Sequence, residues 1–218
     1  MHLTGNYVSL LTGALAVHAS LFGGSSNSNS EAADARAKLS SGWESVTVGS
    51  TIKLAHTKTL TRLQLPQVSY GTGSQQQAVT SFGDTQTTKG LWLVEQPNKA
   101  RGSPIICGSS VRLVNSDSGH SLHSHESHRA PISGAQEVSG FDGRDTGDLW
   151  TVECNGDRWL RETPVYLRHE ETGKYLQSLA GKKYGQPISG HQEVSGGKKP
   201  DTNAQWTAME GYYFAHTK

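Results

Sequence analysis

His123 and His125 stand two residues apart in the stretch Gly119-His120-Ser121-Leu122-His123-Ser124-His125. Residues i and i+2 of a strand share a face, so this spacing predicts two imidazoles side by side. Such a pair could ligate a metal, line a sugar or peptide groove, or respond to pH near neutrality. A structural or catalytic metal needs at least a third ligand. The nearest other histidines, His120 and His128, fall in predicted turns, so no metal is expected. The plainer reading is favoured: histidines hydrogen-bonded into the turns around them.

Gln136-Glu137 and Gln192-Glu193 are a second set, each following a glycine-containing turn, with His191 directly before the second pair. Amide and carboxylate together suit hydroxyl-rich ligands or extended peptide backbone. They equally suit the capping of turn amides that would otherwise lack partners. Recurrence at the same place favours capping, because a scaffold requirement repeats with the scaffold. His123, His125, Gln136, Glu137, His191, Gln192 and Glu193 are therefore the candidate contacts for a ligand or client polypeptide. No Gly-x-Ser-x-Gly, His-Glu-x-x-His or phosphate-binding glycine loop occurs, so neither catalysis nor a cofactor is expected. No Asn-x-Ser/Thr sequon occurs, so N-glycosylation is not expected.

These residues belong to units that recur. Trp92, Trp150 and Trp206 stand in LWLV, LWTV and QWTA. Gln77-Ala78-Val79-Thr80, Gln136-Glu137-Val138-Ser139 and Gln192-Glu193-Val194-Ser195 form a second landmark. Ile52-Lys53-Leu54, Val111-Arg112-Leu113 and Val165-Tyr166-Leu167 open the three units. Landmarks in one order, three times over, define an internal repeat. Each unit reads as four short strands separated by Gly, Asn, Asp, Pro and Ser. In the second unit these fall near 111–115, 121–125, 136–141 and 149–153. Ile52 and Leu54 face one way with Lys53 opposite, the alternation of a half-buried strand. A propeller would need four or more shorter blades. Three units of four strands close better as a barrel with a cap, which predicts an all-β, twelve-stranded β-trefoil. The three tryptophans are then core residues, while Trp43 and Trp159 fall outside the pattern and become contact candidates if exposed.

The 218 residues carry 20 Lys and Arg against 19 Asp and Glu. That balance argues against a general affinity for nucleic acid, which needs a basic excess on one face. Tyr7 to Ala19 is apolar but too short to span a bilayer comfortably, and small residues at Val17 and Ala19 suit cleavage. Residues 1–19 thus read as a secretory signal peptide, with no membrane insertion expected after its removal. Residues 20–45 are small and polar and read as a flexible linker. Two cysteines, Cys107 and Cys154, fit one disulfide in an oxidising compartment or two buried thiols in a reducing one.

Together with Pro131-Ile132-Ser133-Gly134, Pro187-Ile188-Ser189-Gly190, Tyr70-Gly71-Thr72-Gly73-Ser74 and the tail Trp206-Thr207-Ala208-Met209-Glu210-Gly211, these motifs look like MIR repeats. As an ensemble they resemble the stromal cell-derived factor 2 family. The repeats fall at 46–97, 105–156 and 160–214. The resemblance implies a β-trefoil of the endoplasmic reticulum lumen that partners a J-domain co-chaperone and BiP. It also implies a role on unfolded clients in folding and quality control. Glycan binding is the alternative, by analogy with MIR repeats of mannosyltransferases. Leu-His-Ser-His stands only in repeat two; repeat one has Leu63-Gln64-Leu65-Pro66 and repeat three has Leu176-Gln177-Ser178-Leu179. The chain ends in AHTK rather than a KDEL-type signal, which leaves secretion as the alternative to retention. Cys107 opens repeat two and Cys154 closes it. First and fourth strands neighbour each other in a trefoil, so a disulfide between them is geometrically reasonable.

Overall fold

The computed structural model describes residues 42–215; the signal peptide and most of the linker expected from sequence lie outside them. Repeat 1 contributes β1 (Thr51–His56), β2 (Arg62–Gln64), β3 (Gln77–Ala78), β4 (Thr80–Phe82) and β5 (Trp92–Glu95). Repeat 2 contributes β6 (Ser110–Asn115), β7 (Ser121–Arg129), β8 (Gln136–Phe141) and β9 (Trp150–Glu153). Repeat 3 contributes β10 (Pro164–His169), β11 (Tyr175–Lys183), β12 (Gln192–Gly197) and β13 (Trp206–Tyr212). The third strand of repeat 1 is split at Val79 into β3 and β4, so the expected twelve strands become thirteen.

The first and last strands of each repeat pair with each other: β1 with β5, β6 with β9, β10 with β13. The last strand of each repeat also pairs with the first of the next: β5 with β6, β9 with β10, and β13 back to β1. Six strands thus close into a barrel with no free edge. The hairpins β2–β4, β7–β8 and β11–β12 cap it. They meet around the axis through β3–β8, β8–β12 and β12–β4. This is a β-trefoil.

The core follows the alternation in the sequence. Ile52, Leu54, Val94, Val111, Leu113, Val152, Val165 and Leu167 are fully buried, together with Trp92, Trp150 and Trp206. Each tryptophan opens the last strand of its repeat and donates its indole N–H to a backbone carbonyl of the second strand. The acceptors are Leu63 (3.1 Å), Leu122 (2.8 Å) and Leu176 (2.8 Å). A buried carbonyl without a donor would cost about 1–3 kcal/mol, so the indole serves both packing and satisfaction. Trp159 is also fully buried, which removes it as a contact candidate; Trp43 is 39% exposed. Ser45, assigned to the linker from sequence, is buried and bridges to Leu160, so the packed chain starts before Val46. Cys107 and Cys154 form the disulfide that joins the two ends of repeat 2.

Candidate functional site

The recurrent Gln-Glu pairs lie where β8 and β12 enter the cap. Glu137 is 2% exposed and Glu193 is fully buried. Glu193 accepts the Ile132 N–H at 2.7 Å and the Ser133 N–H at 3.1 Å, from the hairpin turn of the preceding repeat. Glu137 accepts the Ser74 N–H at 3.4 Å and the Ser74 hydroxyl. Gly73, beside it, has φ +70° and leaves the space that the Glu137 carboxylate fills. Gln136 donates to Ser124 Oγ (2.7 Å) and Thr172 Oγ1 (2.9 Å), and Gln192 Oε1 accepts from Ser178 Oγ (3.3 Å). Four of the seven sequence candidates are thus buried braces between and within repeats. A carboxylate bonded by turn amides is held in one place inside the cap.

The three histidines part company. His123 is buried, its Nδ1 3.0 Å from Asp148 Oδ1 and 3.5 Å from Asp145 Oδ1, with its ring against Phe141. His125, expected beside it, is exposed and bonds Ser127 Oγ at 2.9 Å. The register of β7 against β8 shifts between Ser124 and Arg129, and that irregularity turns the second imidazole away. His123, Asp145 and Asp148 place ligand atoms within 4.8 Å of one another. Asp148, however, is already paired with the Arg112 guanidinium at 3.2 Å, and both aspartates form the capping box of the 3-10 turn Thr146–Asp148. A divalent ion there would face a fixed cation. His191 lies in another repeat, stacked on Phe82 with ring centroids 4.1 Å apart and Nδ1 bonded to Thr80 Oγ1 at 2.9 Å. Burial holds its imidazole below the usual histidine range, and the nearby Lys89 charge adds to this.

Open clefts lie where one repeat's hairpin leans on the next repeat. Between repeats 1 and 2 the lining is amide-rich: Gln67, Gln75, Gln76 and Gln77, with His120 and Asp142. Between repeats 2 and 3 it is basic, with Arg129, Lys174 and Lys198 against Glu126. Between repeats 3 and 1 it carries the Phe82–His191 stack with Lys89 and Asp84. Of the sequence candidates, only Gln136 and His191 line any of these. Phe82, Lys89, Arg129 and Lys198 carry no recurring motif, because they stand at positions where the repeats differ. The position three after the shared valine is Phe82, Phe141 and Gly197 in turn, and that variation was the available signal.

The opposite end of the barrel carries a second surface. The Arg161 guanidinium lies 3.9 Å from the Tyr213 ring centre, and Arg101 lies 5.0 Å from that of Phe214. Trp43 sits beside them, its carbonyl accepting from Arg161 at 3.3 Å. Among the described residues no helix is long and apolar enough to cross a membrane.

Three pseudo-equivalent units with this strand order and tryptophan bracing define a MIR-type β-trefoil, and the family model of the MIR domain matches residues 44–182. The chain belongs to the stromal cell-derived factor 2 family. It is 41% identical to human stromal cell-derived factor 2 over 174 residues, which cover 77% of this chain and 82% of that protein. The crystal structure of the family's Arabidopsis thaliana protein superposes with a TM-score of 0.77 at 37% identity. It covers 80% of this chain and 99% of that one. A Saccharomyces cerevisiae protein O-mannosyltransferase complex, solved bound to its sugar donor, aligns with a TM-score of 0.70 at 27% identity. The alignment takes in 78% of this chain and 26% of that one.

Proposed function

We propose that this protein is a non-enzymatic binding protein of the endoplasmic reticulum lumen that assists protein folding and quality control. It acts there with a lumenal J-domain co-chaperone and with BiP. Membership of the stromal cell-derived factor 2 family carries this reading. The Cys107–Cys154 disulfide suits an oxidising compartment. The recurrent polar side chains are occupied in holding repeats together, and what faces outward is a set of open clefts of differing charge. Open polar clefts suit the display of contacts to a polypeptide better than chemistry on an enclosed substrate. Each contact buries little apolar area, so affinity per site is modest. A pull-down from lumenal extract with the tagged mature chain should recover the J-domain protein together with BiP. Recovery of neither removes the reading.

The amide-rich cleft between repeats 1 and 2 favours a second reading, recognition of hydroxyl-rich glycans on clients. A glycan array should then show binding that is lost on substituting Gln67 and Gln75 by alanine. A blank array disposes of it.

A further inference from the structure

Asparagine followed by glycine is the pairing most open to loss of its side-chain amide, because glycine lets the next peptide nitrogen turn onto the side chain. The sequence holds one such pair, Asn155-Gly156. It lies in the loop that leaves β9, directly after Cys154. Both residues are exposed, and a β-carbon on Gly156 (φ +95°) would meet nothing within 4 Å.

Four asparagines fall among the described residues, and the structure separates this one from the rest. The group that must attack is the backbone nitrogen of the following residue. After Asn98 it belongs to Lys99 and is bonded to the Gln96 carbonyl at 3.4 Å. After Asn115 it belongs to Ser116, bonded to the Leu91 carbonyl at 2.9 Å, and after Asn203 to Ala204, bonded to the Asp201 carbonyl at 3.0 Å. The side chains of Asn115 and Asn203 are engaged as well, with the Lys89 carbonyl and the Lys58 ammonium. Neither the Asn155 side chain nor the Gly156 N–H makes a hydrogen bond among the described residues. The ends of this loop, by contrast, are fixed against one residue. Cys154 is joined to Cys107 by the disulfide, and the Cys107 N–H donates to the Asp157 carbonyl at 3.1 Å. The backbone from Cys154 to Asp157 is thus a span of set length.

We infer that Asn155 is a site of non-enzymatic deamidation through a cyclic imide, and that the change loosens the seam where repeat 2 closes. The Gly156 nitrogen gives its proton to solvent base and bonds to Cγ of Asn155. The bond from Cγ to the side-chain nitrogen breaks, and ammonia leaves with that proton. Water then opens the imide at either carbonyl. Opening at Cγ gives aspartate; opening at the main-chain carbonyl gives isoaspartate, whose backbone is longer by one methylene. Nothing is oxidised or reduced. The new carboxylate arises beside Glu153, which lines the same cleft and pairs with Arg168 at 2.7 Å. The longer backbone no longer fits the span across Cys107. This chemistry does not depend on which partner the protein serves.

The purified mature chain, disulfide intact, is aged in oxygen-18 water in mildly acidic and mildly alkaline buffer and mapped by peptide mass spectrometry. The Asn155 fragment should convert to aspartate and isoaspartate with a solvent oxygen gained. Conversion should be faster in alkaline buffer, since the attacking nitrogen must lose its proton. Fragments carrying Asn98, Asn115 and Asn203 should convert many times more slowly. Asn155→Gln alters only an exposed, unbonded side chain. It should fold like the parent and stay unconverted, because the longer side chain closes a less favourable ring. The aged parent should exchange its Cys107 amide faster and unfold about 2–4 °C lower, as loss of one backbone hydrogen bond predicts. Aged Asn155→Gln should keep its midpoint. Persistence of Asn155 in the folded chain, over a period in which it converts in the urea-unfolded chain, overturns the inference. So does equal conversion at any of the other three asparagines, or an unchanged midpoint in the converted chain.

Discussion

Three residues at one position show how a side chain can hold two repeats at once. His56 ends β1 and His169 ends β10; Asn115 is their counterpart at the end of β6. Nε2 of His56 donates to the Asn203 carbonyl at 2.9 Å, and Nε2 of His169 to the Gly147 carbonyl at 2.9 Å. The Asn115 amide donates to the Lys89 carbonyl at 2.9 Å. On the other side each closes its own turn, His56 through Thr59, His169 through Thr172 and Asn115 through the Asp117 and Ser118 N–H groups. Burial pushes both imidazoles below the usual histidine value of 6.5 and outweighs the carbonyl bonds that pull upward. Lys58 adds to the depression at His56. At His169, His123 and His125 add to it while Glu171 opposes. The folded state therefore binds fewer protons than the unfolded one just below pH 6.5. Stability is full above that pH and is lost as pH falls toward the folded-state values. The double variant His56→Asn, His169→Asn should lose about 1 kcal/mol per site at pH 7.5 through poorer packing against Trp206 and Trp150. It should also show a flatter decline between pH 6.5 and 5. Urea denaturation at several pH values measures this, and an unchanged slope would assign the acid sensitivity to other groups. None of this was legible at the outset. The i, i+2 spacing of His123 and His125 is conspicuous, whereas His56, Asn115 and His169 are alike in role but not in type.

At the level of elements, the tryptophans were legible because packing and hydrogen bonding ask for the same residue three times. Substituting Trp92, Trp150 or Trp206 by Phe keeps a ring but orphans the carbonyl of Leu63, Leu122 or Leu176. Each change should cost about 2–4 kcal/mol, the unmet acceptor plus lost contacts, and the three costs should agree within about 1 kcal/mol. Guanidinium denaturation provides the comparison; one position several-fold milder than the others would show that the repeats are not energetically equivalent. Strands were readable too, since period-two burial marks β5 and β10 directly, whereas β1, expected half-buried, is buried on both faces from Ile52 to His56. The shifts in β7 and β11 were not. Such irregularities arise from how a hairpin fits its neighbour across the cap, and local pattern does not encode that. The Gln-Glu pairs were placed correctly as recurrent, yet which turn each one reaches depends on the rotation between repeats.

For the whole molecule, closure of the barrel runs through the two ends of the described chain. Thr51 pairs with Tyr212, and the Thr47 hydroxyl donates to the Phe214 carbonyl at 2.9 Å. A circular permutant that joins these ends through a short Gly-Ser linker, and opens the exposed loop at Asn98, should keep the trefoil. Tryptophan fluorescence and near-ultraviolet circular dichroism should match the parent, with a midpoint within about 10 °C of it. A permutant without cooperative unfolding would mean that the junction between repeats 1 and 2 must be continuous. The trefoil itself was legible from three landmarks in fixed order. The clefts were not, because they are made at junctions where the repeats have diverged.

The β1–β13 pairing also sets an order of events during synthesis. β1 finds one of its two barrel neighbours only when β13, made after all the other described strands, is available. Until then its outer amides and carbonyls are an unmet edge, open to other nascent chains. Non-local closure of this kind is slow compared with local hairpin formation. The newborn protein is thus, for a time, the same sort of incomplete chain that a folding assistant attends to.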